Sequence, residues 1–333
     1  MARARQTWDV VATVDEAPEL IVAFVAWHLD LGAARIHLFF DRPGNPAAEM
    51  LADRPGVTLH HPVLDDPKRP RRHQRRQLHN ATQAYRDSAA DWLLHCDADE
   101  LLWADEDVGA VLADTQDRDA LRIGNLERYY PSDAPTRTIF DGTFRAPFPG
   151  RVAEGEARFG PDYALTRRGL TGYANGKSFS RTGLPLRINI HKPQIERRSG
   201  WTDVRAARSE ALRLLHYDGL TPLHWMEKLL RKAHATAFLG GAAPTAHRRA
   251  QIAEVLDEVE AAGAARRIHD RLKVLSPERE AQLNDMGLRH DPVPDPAAAI
   301  ARQFPDLSID LGPERHDAWL RAERAELFET YAL

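Results

Sequence analysis

The first hundred residues alternate between short apolar runs of β type and longer stretches with helical spacing. Trp8–Val14 (WDVVATV) reads as a strand rich in β-branched residues. Pro18 to Leu31 reads as a helix, with Asp15 a candidate cap, Pro18 in the first turn and Gly32 at the stop. Ile36–Phe40 (IHLFF) is a second strand that ends at Asp41 and the loop RPGNP, and Val57–His61 (VTLHH) is a third. His73 to Ser88 carries the next helical pattern, and Trp92–Cys96 is a fourth strand running into Asp97. This alternation predicts an α/β fold, with parallel strands, right-handed crossovers and helices on the faces. Open sheets of that kind bind ligands beyond the carboxyl ends of their strands. Asp15, Asp41 and Asp97 all fall at such ends.

The pattern then changes. A strand after Ala120 (LRIGNLERYY) leads into an irregular stretch, Pro131 to Gly160, rich in Pro, Gly and aromatics. Such stretches in enzymes often form the wall or lid of a site. A second β-rich patch follows in YALTRR, NGKSFSR and PLRINIHKP, and Leu212–Tyr217 (LRLLHY) is another strand. Asp218-Gly219 makes a turn, and Thr221-Pro222 opens a helix as cap and first residue. From about Ala246 the chain reads as helices. These patterns predict a domain over 1–245, split near 120, and a helical extension over 246–333.

Composition adds exclusions. With 333 residues, 43% hydrophobic and 28% charged, the chain is of ordinary globular type. A net charge of -4 gives no global pull toward nucleic acid or anionic membrane. A lone cysteine, Cys96, excludes an intrachain disulfide framework and suits a reducing compartment, so a cytoplasmic protein is expected. No segment approaches the ~18 uninterrupted apolar residues of a spanning helix. Peripheral association with the inner face of a membrane would leave no such trace.

The chemistry concentrates in WLLHCDADELLW, where Asp97, Asp99 and Glu100 sit between apolar flanks. Mutually repelling carboxylates there need solvent or a positive partner. If the backbone stays extended, Asp97 and Asp99 face one spot and suit Mg²⁺ or Mn²⁺, with phosphate oxygens completing the shell, while Glu100 orients a neighbour. The alternative is an acidic loop capping a helix over Asp105 to Leu112. No glycine-rich dinucleotide fingerprint and no GxxxxGK[ST] loop occurs. A bound nucleotide would have its phosphates held by metal and side chains. The run KRPRRHQRR, Lys68 to Arg76, reads chiefly as a solvated basic face with one or two residues near a diphosphate. Lys177, beside a glycine, is a better single candidate, and His191 and His216 stand at predicted strand ends.

In order, TVDEAPELIVAFVAWHLDLGA, the "GA..I.LFFD" of Gly32 to Asp41, RRQLHNATQAY, DWLLHCDADELLW, GKSFSR, INIHKP and HYDGLTPLHWMEKLLRK resemble the GT-A glycosyltransferases of bacterial family 2 type. Glu16, Trp27, His28, Gln77 and Asn80 fall in matching places, over roughly residues 8 to 235. The usual Asn before the glutamate is Asp15 here, and Leu121 to Gly160 aligns with nothing. The resemblance implies a GT-A (Rossmann-like) mixed, mainly parallel sheet flanked by helices. It implies metal-dependent, inverting transfer from a nucleotide sugar, a UDP-sugar first, to a glycan, lipid-linked or small-molecule hydroxyl. Asp97 would contact the ribose or a metal-bound water, and Asp99 would bind Mn²⁺ or Mg²⁺. Asp15, Glu16, Asp41, Gln77 and His191 would serve the donor, and Lys177 and His216 the diphosphate or the metal. The base is open among Asp141, Glu154 and Asp162. The rival readings are a nucleotidyltransferase and a non-catalytic nucleotide-binding protein of the same fold.

Overall fold

A computed structural model describes residues 4–115, 117–198, 200–204, 206–238, 243–257 and 261–331; 258–260 and 332–333 of the expected helical extension lie outside the described residues. In chain order the elements are β1 (Trp8–Val14), α1 (Pro18–Asp30), β2 (Arg35–Phe40), α2 (Ala47–Met50), β3 (Val57–His60), α3 (His73–Asp87), β4 (Trp92–His95), β5 (Glu100–Ala104), α4 (Val108–Asp114), β6 (Ala120–Pro131), β7 (Thr143–Arg145), α5 (Val152–Phe159) and β8 (Ser178–Arg181). The chain packs as two units. The first comprises Met1–Asn125, Asn175–Leu214 and Pro294–Ile309, and the second Leu126–Ala174, Leu215–Val293 and Asp310–Leu333.

In the first unit the strand order is β3-β2-β1-β4-β8, followed by the start of β6. β3, β2, β1 and β4 run parallel, with Val14 level with Phe40 and Phe39 level with His60. β8 is antiparallel to both β4 and β6. The sheet is therefore mixed and mainly parallel. All seven residues of β1 are buried, because a parallel strand covered on both faces needs a continuous apolar run rather than an alternating one.

Helix α1 is buried along almost its whole length, so it must be covered on more than one side. The cover is the helix Pro296–Gln303, which packs on α1, with the Arg302 guanidinium on the Asp30 carboxylate at 2.6 and 2.8 Å. This corrects the boundary expected at 245. Residues 294–309 belong to the first unit because α1 is too apolar to stand exposed, and the other late helices fold with the second.

The second unit has its own core. The end of β6 pairs antiparallel with β7, and Val274–Leu275 runs parallel beside it. The helices Pro222–Phe238, Ala246–Leu256 and Ala261–Lys273 pack around Trp225, Leu229 and Ile268. Three expected β segments differ. Of YALTRR, Tyr163–Leu165 ends a short 3₁₀ helix, Pro161–Leu165, started by a proline, and Arg167 forms an isolated bridge with Leu170. In PLRINIHKP only Leu186–Arg187 pairs as a strand, and of the expected strand Leu212–Tyr217 the residues Leu212–His216 are the end of a longer one, Ala206–His216.

Candidate active site

The chain passes β1, β2 and β3 in one direction and then returns to place β4 on the other side of β1. That reversal is a topological switch point, and it opens a crevice at the carboxyl ends of β1 and β4. Asp15 and Glu16 follow β1, and Asp97 follows β4. From the helix side, α3 adds Asn80, whose Nδ2 donates to Thr13 Oγ1 at 2.9 Å, and Gln77, whose Nε2 donates to Asp97 Oδ1 at 2.8 Å.

Asp97 to Glu100 is a tight turn, not an extended segment. The Glu100 N–H donates to the Asp97 carbonyl at 3.0 Å, while Glu100 Oε2 accepts from the Asp97 N–H at 2.8 Å. The expectation that Asp97 and Asp99 face one spot by strand alternation is thereby corrected, since the chain has already reversed between them. The buried Glu100 side chain fixes the turn from inside. Trp27 Nε1 donates to the Leu102 carbonyl at 2.7 Å and His28 Nε2 accepts from the Leu102 N–H at 3.2 Å. The Trp-His pair of α1 thus staples β5, and with it the turn, to the helix. Burial holds the His28 pKa down at about 4, which keeps the acceptor nitrogen neutral. The acidic knot caps no helix; α4 is capped by Asp107, which accepts from the Ala110 N–H.

Lys177 is fully buried, with Nζ 2.9 Å from Asp97 Oδ2 and 3.2 Å from Glu100 Oε2. Burial would raise the Asp97 carboxyl, but the Lys177 ammonium overrides it and holds the group well below the carboxylate range. Burial would likewise lower the Lys177 ammonium, and Asp97 and Glu100 instead hold it above the ordinary lysine value. Gly176 makes the arrangement feasible. A Cβ there would lie 1.7 Å from the Ile123 carbonyl oxygen, while the Lys177 carbonyl accepts from the Ile123 N–H at 3.0 Å. Lys177, expected at the diphosphate or the metal, lies inside the turn against Asp97 and Glu100.

Glu16 behaves differently. Burial raises its pKa to about 7 against the hydrogen bond from the Asp15 N–H, and the negative charges of Asp99 and Asp15 add to the rise. Glu16 and Asp99 therefore share a field with an excess of negative charge. Asp15 itself meets Arg42 Nε at 2.5 Å.

At the end of β2, buried Asp41 gathers part of the basic run. Arg76 grips both carboxylate oxygens through Nε and Nη2 at 2.5 and 2.6 Å, His73 Nδ1 lies 3.1 Å away, and Arg69 Nη2 meets the Asp41 carbonyl at 2.7 Å. Against burial, His73 and Arg76 hold the Asp41 carboxyl well below its usual range. Arg76 also donates to the carbonyls of Pro70 and Arg71, fastening that loop over the strand end. Beside this cluster is a cavity of about 450 Å³, walled by Phe39, His60, Arg69, His79, Asn80 and Gln83 among others. Phe39 and His60 stack inside it at 3.9 Å.

The remaining expected residues have local duties. His191 is not at a strand end; it lies in a loop with Nδ1 3.2 Å from the Gly176 carbonyl. His216, in the second unit, has Nδ1 3.6 Å from Glu127 Oε2, with its ring against Tyr173. The three candidate bases also lie in the second unit. The Asp141 carboxylate accepts from the Arg137 and Thr138 N–H groups, Glu154 accepts from the Arg151 N–H, and Asp162 pairs with Arg271. What sequence reasoning missed is the Arg69–His73–Arg76 grip on Asp41 and the Trp27–His28 staple. The signal for the first was a buried strand-end aspartate followed by a dense arginine run.

Whether this edge suits a divalent cation is decided by its donors. Among the described residues, no three His, Cys, Asp or Glu side chains gather as a ligand set, so a closed protein cage is not on offer. Mg²⁺ and Mn²⁺ bound with phosphates take only one or two carboxylates, however. Asp99 and Glu16 supply the two carboxylates of that open kind; burial is the main cause of the raised Glu16 carboxyl, and only the smaller contribution from the Asp99 and Asp15 charges is one a cation would offset.

No family model matches the chain, and no curated protein matches it. Solved structures with some likeness include HddC from Yersinia pseudotuberculosis, at TM-score 0.28 and 9% identity over 63% of this chain and 76% of that one. A Bacillus anthracis protein assigned as a glucose-1-phosphate thymidylyltransferase, in complex with a sucrose, gives 0.26 and 6% over 87% and 98%. A mannose-1-phosphate geranyltransferase from Thermus thermophilus gives 0.26 and 13% over 81% and 69%. Scores this low carry no argument, and the reading rests on the residues.

Proposed function

We propose that the chain is a glycosyltransferase that takes a nucleoside-diphosphate sugar, a UDP-sugar first, and transfers the sugar to an acceptor hydroxyl. The observation that carries this reading is the gathering, at one switch-point crevice, of Asp97, fixed by Gln77 and Lys177, with Asp99 and Glu16, a buried carboxyl that feels the Asp99 charge. Asp97 is an acceptor held on three sides, suited to a ribose hydroxyl. Asp99 and Glu16 would hold Mn²⁺ or Mg²⁺. When bound, the ion neutralises charge on the leaving diphosphate, a Lewis-acid contribution of several kcal/mol. The cavity beside Asp41 has the size and the stacked planar wall for a nucleoside.

Lys177 and Glu100 work at one remove by fixing Asp97. The acceptor hydroxyl oxygen attacks the anomeric carbon and gives its proton to a carboxylate base or to water, while the bond to the diphosphate oxygen breaks with its electron pair leaving on the diphosphate. A thermal-shift screen with and without Mn²⁺ tests the reading. A ligand at about a hundred times its Kd adds about 2.7 kcal/mol of stability. Stabilisation by UDP and UDP-sugars only with Mn²⁺ is the expected result. Stabilisation by nucleoside triphosphates instead would select nucleotidyl transfer, and by neither a non-catalytic protein.

A further inference from the structure

The segment between β3 and α3 carries charge out of keeping with the rest of the chain. The whole chain is net -4, yet residues 63–76 (VLDDPKRPRRHQRR) hold six arginines and lysines against two aspartates. Arg69 and Arg76 are structural, since both are spent on Asp41. The other four, Lys68, Arg71, Arg72 and Arg75, are exposed, and among the described residues none of them meets a carboxylate. Asp66 accepts from the Lys68 N–H within its own loop, and Asp65 offsets one of the four cations.

The same segment opens with Val63 and Leu64, each 61% exposed. Among the described residues they are the one consecutive pair of large hydrophobic side chains left so open to water. Two adjacent exposed aliphatic side chains gain from being covered, and the four cations beside them, which meet no carboxylate among the described residues, point to a cover that carries negative charge. A nucleic acid would answer the cations, but the segment's one ring, His73, is engaged on Asp41, and its aliphatic pair gains nothing from a phosphodiester chain. A bilayer with anionic headgroups answers both. Polybasic segments are drawn to such a surface, and stable attachment takes a second, apolar signal.

We propose that residues 63–75 dock the first unit on an anionic lipid surface, with Val63 and Leu64 entering the headgroup layer and Lys68, Arg71, Arg72 and Arg75 meeting headgroup phosphates. Arg69 and Arg76 present the segment by pinning it to the end of β2. Among the described residues no helix is long and apolar enough to cross a membrane, so the contact is a surface one. Val63, Asp66 and Arg69 also border the cavity beside Asp41, so docking and donor binding share an edge; vesicle binding without nucleotide reads the docking alone.

The test is co-sedimentation of the full chain with vesicles of phosphatidylcholine alone and of phosphatidylcholine mixed with phosphatidylglycerol, at low and high salt. Binding to the mixed vesicles alone, lost at high salt, is expected. Each cation near the surface is worth roughly fivefold in partitioning, so K68Q/R71Q/R72Q/R75Q should lose on the order of a hundredfold or more. Leu64→Ser should lose about tenfold. On the unaltered chain, mixed vesicles should slow amide exchange within residues 61–72, a readout that needs no variant. Equal binding to both vesicle types, a quadruple variant that binds as the parent does, protection confined to another segment, or retention on a soluble polyanion without vesicle binding would each overturn the proposal.

Discussion

Replacing Lys177 with methionine removes one positive charge and leaves two negative ones facing each other inside the turn. Glu100 is fully buried and Asp97 is 27% exposed, and the ammonium stands between them at 3.2 and 2.9 Å. Removing one partner of a buried ion pair costs about 3–5 kcal/mol, because the other charge is stranded. The cost should depend on pH. In the parent, the lowered Asp97 pKa contributes stability that is present above the ordinary carboxylate range and lost as pH falls through the lowered value. In Lys177→Met the carboxyls are driven upward instead, so taking up a proton relieves the strain. The deficit should therefore be largest above neutral pH and shrink toward about pH 5. Urea unfolding of the parent, Lys177→Met, Glu100→Gln and the double variant measures it. Because the double variant no longer strands Glu100, it should recover much of the loss, with a coupling of at least about 1.5 kcal/mol. Additive losses, or a Lys177→Met deficit that does not change with pH, would refute the account of the turn.

Two further outcomes follow from the same edge. Glu16 has its folded pKa raised from 4.5 to about 7, so the folded state binds the extra proton between those values and this contribution to stability is lost as pH rises through 7. Glu16→Gln should be more stable than the parent above neutral pH and show no gain below 4.5, by thermal unfolding across the range. Asp41→Asn leaves Arg69 and Arg76 without their carboxylate. It should cost about 2–3 kcal/mol and hasten tryptic cleavage within residues 61–72, read by mass spectrometry of early fragments.

The parallel half of the sheet was legible because β1, β2 and β4 are mainly apolar runs without strict alternation, as suits a doubly covered strand. Their polar endings at Asp15, Asp41 and Asp97 then marked the functional edge. What lay beyond reach was set by distance along the chain. Lys177 is eighty residues from Asp97, and nothing in the local pattern says that its ammonium, rather than solvent or a metal, resolves the carboxylate repulsion. Spacing of two in an extended strand was the right rule applied to a turn that Glu100 closes from inside. The late helices misled for a related reason. They look like an appendage until the all-round apolar α1 is asked what covers it, and the answer, Pro296–Gln303, lies near the other end of the chain.

Calorimetric titration of UDP into the parent and Asp99→Asn, each with Mn²⁺ and again after EDTA, reaches the centre of the proposal most directly. Binding in the parent that needs the metal, and its loss in Asp99→Asn while the variant unfolds as the parent does, is the predicted result. UDP binding of equal strength in both proteins, or binding indifferent to EDTA, would contradict a metal-bridged diphosphate at the ends of β1 and β4.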